Sequence, residues 1–263
     1  MKYPVTDLAA EARSEYMSRY AKANGGKIDG VEYSEMQEGA FSVSTIDILN
    51  EQGTHAVGKP CGRYITLSFP DIKNMGSEDF SRLCSLLARL LCEICEHIAK
   101  GAKSVLLCGL GNERLSADAF GPKAVKNALV THHLKEETEE MFVSTGLFDV
   151  SAFYPDVSAH TGLDSGRLLA AAVKEARPDI IIAVDSLCAR EPDRICKTIQ
   201  LCSAGISPML SLAKHPITSE SMGVPVIALG VPTVIDTATL ICDAVGRTLC
   251  HGISSFLDTI SYI

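Results

Sequence analysis

A short apolar run that ends at two glycines is the feature that most limits how this chain can fold. Residues 105–108 are apolar, Gly109 and Gly111 follow, and a polar loop then leads to Asp118. Apolar residues at helical spacing cover residues 123–134. Strand, glycine turn and helix in this order form the repeating unit of a parallel α/β sheet. We therefore predict that Asp118 lies near the carboxyl end of a buried strand.

A second unit of the same kind ends in another carboxylate. Residues 179–185 form an apolar run that closes with Asp185. In an open parallel sheet, groups at the carboxyl ends of neighbouring strands share one crevice. We therefore expect Asp118 and Asp185 to meet in that crevice.

The remaining periodicities complete one α/β domain. Two segments with strand character, 41–49 and 63–69, predict an added N-terminal β-hairpin at the edge of the sheet. Apolar residues at helical spacing predict a long amphipathic helix over 78–100. Further strands are predicted at 150–154, 198–202 and 224–229, helices at 165–177 and 237–262, a long functional loop at 205–223, and irregular structure over 1–40. The predicted fold class is α/β, with three layers and a mostly parallel sheet flanked by helices.

Composition narrows the functional classes. The 263 residues carry 24 basic and 32 acidic side chains, a formal net charge of −8, and no dense basic patch. This balance argues against direct nucleic-acid binding. The N-terminus lacks the apolar core of a secretory signal, and no uncharged run approaches the ~18 residues that span a bilayer. We expect a cytoplasmic protein without a membrane partner.

The ten cysteines raise the possibility of a metal site. Cys92 and Cys95 form a CxxC pair, with Cys84 and His97 nearby, but no second pair follows. Structural zinc needs four closed ligands, whereas free cysteine on a helix behaves as a small hydrophobic residue. We predict no metal and no cofactor.

The glycine turn also resembles the start of a dinucleotide-binding fingerprint. Arg114 stands where helix packing in that motif needs a small residue, and no matching acidic residue follows a second strand. The two aspartates remain as the candidate chemistry. Each alone is typical of a helix cap, but two carboxylates in one site separate their pKa values, so that one acts as a base and the other keeps its proton.

Two further side chains lie near this predicted site. Asp236 follows a third strand and is interpreted either as a neighbour of the pair or as a helix cap. Arg190 is interpreted either as a group that tunes the site or grips a substrate carboxylate, or as part of a structural ion pair. With Gly109, Gly111 and Asn112, these residues form the predicted supporting set.

At these residues the chain resembles the germination protease family of endospore-forming bacteria. The likeness covers most of the chain and includes Val-Thr-Asp-Leu-Ala-Ala-Glu-Ala at 5–12, Gly-Leu-Gly-Asn at 109–112 and Asp-Ala-Phe-Gly-Pro-Lys at 118–123. Further resembling segments lie at 58–67, 178–190, 198–200 and 223–236. The order and spacing of these segments are far more specific than a glycine pattern.

The resemblance implies an endopeptidase that degrades small acid-soluble spore proteins and whose fold is similar to that of the hydrogenase-maturation peptidases. It maps the family's two functional aspartates onto Asp118 and Asp185. It also implies a homotetrameric zymogen, made in the forespore and kept in the spore core, that removes its own propeptide. The family's processing site is an acidic residue, then an aliphatic or aromatic residue, then Ala, which predicts cleavage between Asp7 and Leu8. Residues 1–7 would then be a propeptide and residues 8–263 a single peptidase domain.

The chain also departs from the family pattern. Ser116 and Ala117 replace the family's Thr-Pro, residues 209–215 replace a glycine- and lysine-rich loop, and the family's C-terminal extension does not follow Ile263. These departures indicate either a short form of the protease or a divergent relative of it. Two alternatives stay open: a non-proteolytic sporulation or binding protein of the same fold, and a metal-guided maturation peptidase.

Overall fold

A computed structural model describes residues 6–20, 27–206 and 215–235. Within these residues, eight strands form one sheet in the order β1-β2-β3-β7-β8-β6-β4-β5. The strands are β1 (Val31–Glu38), β2 (Phe41–Ile48), β3 (Gly62–Ser68), β4 (Ser104–Gly109), β5 (Asp149–Phe153), β6 (Ile180–Ala189), β7 (Thr198–Cys202) and β8 (Val226–Ile235).

The sheet has a parallel half and an antiparallel half. Strands β8, β6, β4 and β5 run parallel to one another. Strands β1, β2, β3 and β7 pair antiparallel, and β7 is also antiparallel to β8. The predicted α/β class is confirmed, with the parallel strands grouped on the side of the sheet that carries both aspartates.

Helices cover both faces of the sheet. The long helix α3 packs on one face, and α1, α2 and α8 pack on the other. The α-helices of the described residues are α1 (Ala9–Tyr20), α2 (Glu51–Val57), α3 (Ser77–Ile98), α4 (Phe120–Lys126), α5 (His132–Glu137), α6 (Glu139–Thr145), α7 (Ser158–Thr161), α8 (Ser165–Ala176) and α9 (Ser219–Met222). No helix in these ranges is both long enough and apolar enough to cross a membrane.

Helix α3 forms where its apolar spacing predicted it. Leu83, Leu86, Leu90 and Ile94 recur every three or four residues, and all four are buried against the sheet. Acidic residues occupy its first turn, where their negative charges interact favourably with the positive end of the helix dipole. Strand β5 and helix α8 also agree closely with their predicted ranges.

The N-terminal region contains more regular structure than the sequence predicted. The strands predicted at 41–49 and 63–69 do pair antiparallel, but helix α2 connects them, capped by the Asn50 side chain, which accepts from Gly53 N. Strand β1 lies outside them and forms the edge. It was missed because nearly all its side chains are exposed, so it lacks the alternation that marks a half-buried strand.

Two predicted boundaries near the site were wrong. The helix predicted over 123–134 ends at Lys126, and α5 begins separately at His132. Strand β8 continues to Ile235, although the strand predicted there ended at residue 229. Pro232 is tolerated in this central strand because the register with β6 shifts next to it. The helix predicted over 237–262 lies outside the described residues.

Candidate functional site

Asp118 sits on a short turn that folds back over the end of β4. The chain leaves β4 at Gly109, and residues Ser116–Asp118 form one turn of 3₁₀-helix. The backbone N–H of Asn112 donates to Asp118 Oδ2 at 2.8 Å. The Ala117 carbonyl accepts from the Thr233 hydroxyl of β8. These contacts hold the Asp118 carboxylate beside the parallel strands.

Glycines make this close approach possible. Gly111 has a φ of +113°, and a Cβ atom added there would stand 2.2 Å from the Asp118 carbonyl oxygen. A Cβ atom at Gly109 would stand 2.3 Å from the carbonyl oxygen of Gly121. Gly121, the second residue of helix α4, lies where that helix touches β4 and was not singled out from the sequence.

Asp185 lies within β6 rather than at its end. The strand continues to Ala189, and Asp185 is paired in register with Gly230 of β8. The backbone N–H of Ser186 donates to Asp185 Oδ1 at 2.8 Å. Asp185 lies one residue beyond the last pairing of β6 with β4, Val184 with Gly109, so its half-buried carboxylate stands at the carboxyl edge of the parallel strands.

The charge of Asp118 acts on the Asp185 carboxyl. Burial raises the pKa of Asp185 to about 7, the Ser186 N–H opposes that rise, and the charges of Asp118 and Asp7 add to it. Burial also raises the pKa of Asp118, against the effect of the Asn112 N–H. The structure thus brings Asp118 and Asp185 within electrostatic reach. Because its pKa is about 7, the Asp185 carboxyl changes charge around neutral pH, as groups that act in acid–base chemistry do.

Arg190 contacts helix α1. Its guanidinium Nη1 donates to Glu15 Oε2 of α1 at 2.8 Å. Its backbone N–H donates to Glu11, also at 2.8 Å. Of the two interpretations of Arg190, the structure shows the structural ion pair, which Arg190 forms with Glu15. Asp236 lies outside the described residues.

The N-terminal segment lies beside Asp185. The backbone N–H of Asp7 donates to the Cys188 carbonyl at 2.9 Å, and the Cys188 N–H donates to Asp7 Oδ2 at 2.7 Å. Leu8, the next residue, is fully buried. The predicted cleavage site and the predicted catalytic pair therefore occupy one region of the molecule, a proximity that spacing along the chain could not reveal.

The described residues contain no cluster of metal-binding side chains. In the ranges 6–20, 27–206 and 215–235, no three His, Cys, Asp or Glu side chains are grouped so as to hold a metal ion. Cys84 and Cys92 are exposed on helix α3, and Cys95 is half-buried.

Comparison with known proteins gives one consistent result. The family model for germination protease matches residues 8–258. A germination protease of Clostridium perfringens (strain ATCC 13124) is 37% identical over 247 residues, covering 93% of this chain and 74% of that protein. One from Caldanaerobacter subterraneus subsp. tengcongensis is 39% identical over 242 residues, with coverages of 91% and 72%. One from Bacillus subtilis (strain 168) is 36% identical over 250 residues, with coverages of 94% and 67%.

Proposed function

Because this chain belongs to the germination protease family, we propose that it is the endopeptidase that starts the degradation of small acid-soluble spore proteins during germination. We place its reaction at Asp118 and Asp185. The observation that carries this assignment is the placement of Asp118 after β4 and of Asp185 on the neighbouring strand β6, where burial and the charge of Asp118 raise the pKa of Asp185 to about 7.

The raised pKa assigns a role to each carboxylate. We assign the proton to Asp185, whose pKa is raised to about 7, and the charge to Asp118, whose Oδ2 accepts from the Asn112 N–H. Asp118 takes a proton from a water molecule, and the water oxygen bonds to the carbonyl carbon of the substrate. Asp185 then gives its proton to the departing amide nitrogen as the C–N bond breaks. A proton passes from Asp118 back to Asp185 after the products leave.

The experiment that tests this assignment uses conservative amide variants of the full-length chain. We expect Asp118→Asn and Asp185→Asn each to reduce cleavage of a purified small acid-soluble spore protein by at least about 10³-fold, with an unchanged circular dichroism spectrum. Asp193→Asn is the matched control, because Asp193 is exposed on the turn after β6. Full activity in either site variant would exclude the paired-carboxylate mechanism.

We further propose that the chain is made as a zymogen and cleaves itself between Asp7 and Leu8. Support comes from Asp7. Its carboxylate accepts a hydrogen bond from the Cys188 N–H, and its charge acts on Asp185. Intact-mass measurement during incubation at mildly acidic pH tests this step. Loss of residues 1–7 without added protease is expected, and an N-terminus that stays intact would contradict it.

The family membership supports two further proposals about the protein's setting. We propose that the chain assembles as a homotetramer, which light scattering on the purified protein tests directly. We also propose that it works in the cytoplasm of the forespore and in the spore core, where its substrates are stored. Fluorescence of a tagged chain in sporulating cells would locate it.

A further inference from the structure

Three neighbouring strands place a row of residues across the sheet at Asp185. Gly230 of β8 is paired in register with Asp185 of β6 on one side and with Gln200 of β7 on the other. Residues in register on neighbouring strands project from the same face. Asp185 and Gln200 therefore flank Gly230. Neighbouring strands lie about 4.8 Å apart, so the backbones of the two flanking residues are roughly 10 Å apart.

The floor between these two polar side chains is apolar. Gly230 has no side chain, and the Leu187 side chain fills the space that one would take, since a Cβ atom added at Gly230 would stand 2.4 Å from Leu187 Cγ. A polar group stands on each side of this floor. The gap of roughly 10 Å between the backbones of Asp185 and Gln200, with a polar side chain on each side, suits an extended peptide backbone.

Gln200 holds the backbone of the N-terminal segment at two points. Its Oε1 accepts from Ala9 N at 2.8 Å, and its Nε2 donates to the carbonyl oxygen of Asp7 at 3.1 Å. The two contacts lie on either side of Leu8. Gln200 is buried, with only 6% of its surface exposed, so both ends of its amide are committed to this segment.

The opposite edge of the segment is held by β6 and by Lys59. Asp7 exchanges two hydrogen bonds with the backbone of Cys188. The Lys59 ammonium donates to the Thr6 carbonyl at 2.8 Å and lies within electrostatic reach of the Asp7 carboxylate. An acidic residue in position 7 therefore meets both a backbone N–H and a cation.

The Asp7 carbonyl is the group that is attacked when the bond between Asp7 and Leu8 is cleaved. A donor on that oxygen polarises the carbonyl and stabilises the oxyanion that forms there. Gln200 Nε2 is such a donor, and it stands in register with the acid Asp185.

We propose that residues 7–9 occupy the substrate site of their own chain, and that Gln200 is the substrate-binding residue that clamps the peptide around the cleaved bond. Its Nε2 donates to the carbonyl before that bond, and its Oε1 accepts from the amide N–H of the second residue after the bond. Both contacts are made to backbone atoms, so the same clamp serves a protein substrate of any matching sequence. The proposal rests on the function proposed above, namely cleavage of this bond by Asp118 and Asp185.

The experiment measures the rate of self-processing in the full-length chain by intact mass. Gln200→Met removes both polar atoms, whereas Gln200→Glu keeps the acceptor and removes the donor. We expect each variant to process at least about 10²-fold more slowly, the effect of losing one oxyanion donor. Gln52→Glu, on the exposed face of α2, is the control and processes at the wild-type rate.

A double-mutant cycle separates the clamp from general damage to the fold. Ala9→Pro removes the N–H that Gln200 accepts, and Pro is tolerated at the first position of α1. We expect Ala9→Pro to slow processing by roughly 5- to 10-fold in the wild type, the effect of one hydrogen bond, and to have no further effect in Gln200→Met. Equal effects of Ala9→Pro in both backgrounds would overturn the proposal, as would wild-type processing by Gln200→Glu.

The same measurements distinguish failure of the clamp from failure of the proposed function. If Asp118→Asn and Asp185→Asn abolish processing while both Gln200 variants process normally, the carboxylate mechanism stands and the clamp is rejected. If the aspartate variants process at the wild-type rate, the mechanism fails, and the clamp, which rests on it, fails too.

Discussion

Asp185 and Gln200 project from the same face of the sheet on either side of Gly230, in one continuous register across β6, β8 and β7. One side chain carries a raised pKa, and the other binds the backbone of residues 7–9. The strand between them contributes no side chain to the row. This arrangement makes Gly230 the position where added volume would harm the site most directly.

Gly230→Ala tests that relationship. The new Cβ would stand 2.4 Å from Leu187 Cγ, so Leu187 must move toward the flanking side chains. We expect self-processing to slow at least about 10-fold, and the free energy of unfolding to fall by about 1–3 kcal/mol, as for other overpacked sites. Intact mass and urea unfolding measure the two effects. Gly76→Ala is the control because a Cβ there meets nothing within 4 Å, and equal behaviour of the two variants would contradict the prediction.

The raised pKa of Asp185 predicts how stability depends on pH. An unfolded aspartate ionises near pH 3.8, and the folded one at about pH 7. Between these values the folded chain binds more protons than the unfolded chain, so this residue's contribution to stability falls as pH rises through the interval. Above pH 7 the ionised, half-buried carboxylate destabilises the fold.

Asp185→Asn should remove that dependence. We expect the variant and the wild type to have similar unfolding free energies near pH 4. By pH 8 the variant should be more stable by about 1 kcal/mol or more, because one pKa unit corresponds to about 1.4 kcal/mol. Urea unfolding from pH 4 to pH 8 measures the difference, with Asp193→Asn as the control that shows none. A difference that does not change with pH would contradict the prediction.

The position of residues 7–9 predicts that each chain processes itself. Leu8 and Ala9 are fully buried, so another molecule cannot reach the bond that precedes them while the segment stays docked. We expect a first-order rate that does not depend on protein concentration. In a mixture of wild-type and mass-tagged Asp185→Asn chains, only the wild-type chains should lose residues 1–7. Processing of the Asp185→Asn chains in that mixture would show that cleavage occurs between molecules.

The sequence predicted those features that local patterns determine. Asp118 and Asp185 follow apolar runs, so the parallel-sheet rule was enough to bring them together. Gln200 was not identified, since a glutamine inside a buried strand has no distinctive spacing, and its partners Asp7 and Ala9 lie more than 190 residues away. The antiparallel direction of β7 was equally hidden, because strand direction depends on the connections between strands and not on the side chains within them.

Glu11 provides the last prediction, because it fixes helix α1 against the end of β6. Its fully buried carboxylate accepts from the backbone N–H groups of Arg190 at 2.8 Å and Glu191 at 3.0 Å, and the Arg194 guanidinium lies 3.4 Å away. In Glu11→Gln one acceptor oxygen becomes an NH₂ group, which cannot accept from either N–H, and the charge that faces Arg194 is lost.

We expect Glu11→Gln to lower the free energy of unfolding by about 2–4 kcal/mol, as when one partner of a buried charged network is removed. It should also slow self-processing, because Asp7 lies only four residues before Glu11 and depends on the same docked segment. Urea unfolding and intact mass measure the two effects, and Glu175→Gln, on the exposed face of α8, is the control. Normal stability with slow processing would place the role of Glu11 in the reaction itself, whereas normal values of both would show that the other contacts of α1 hold it without Glu11.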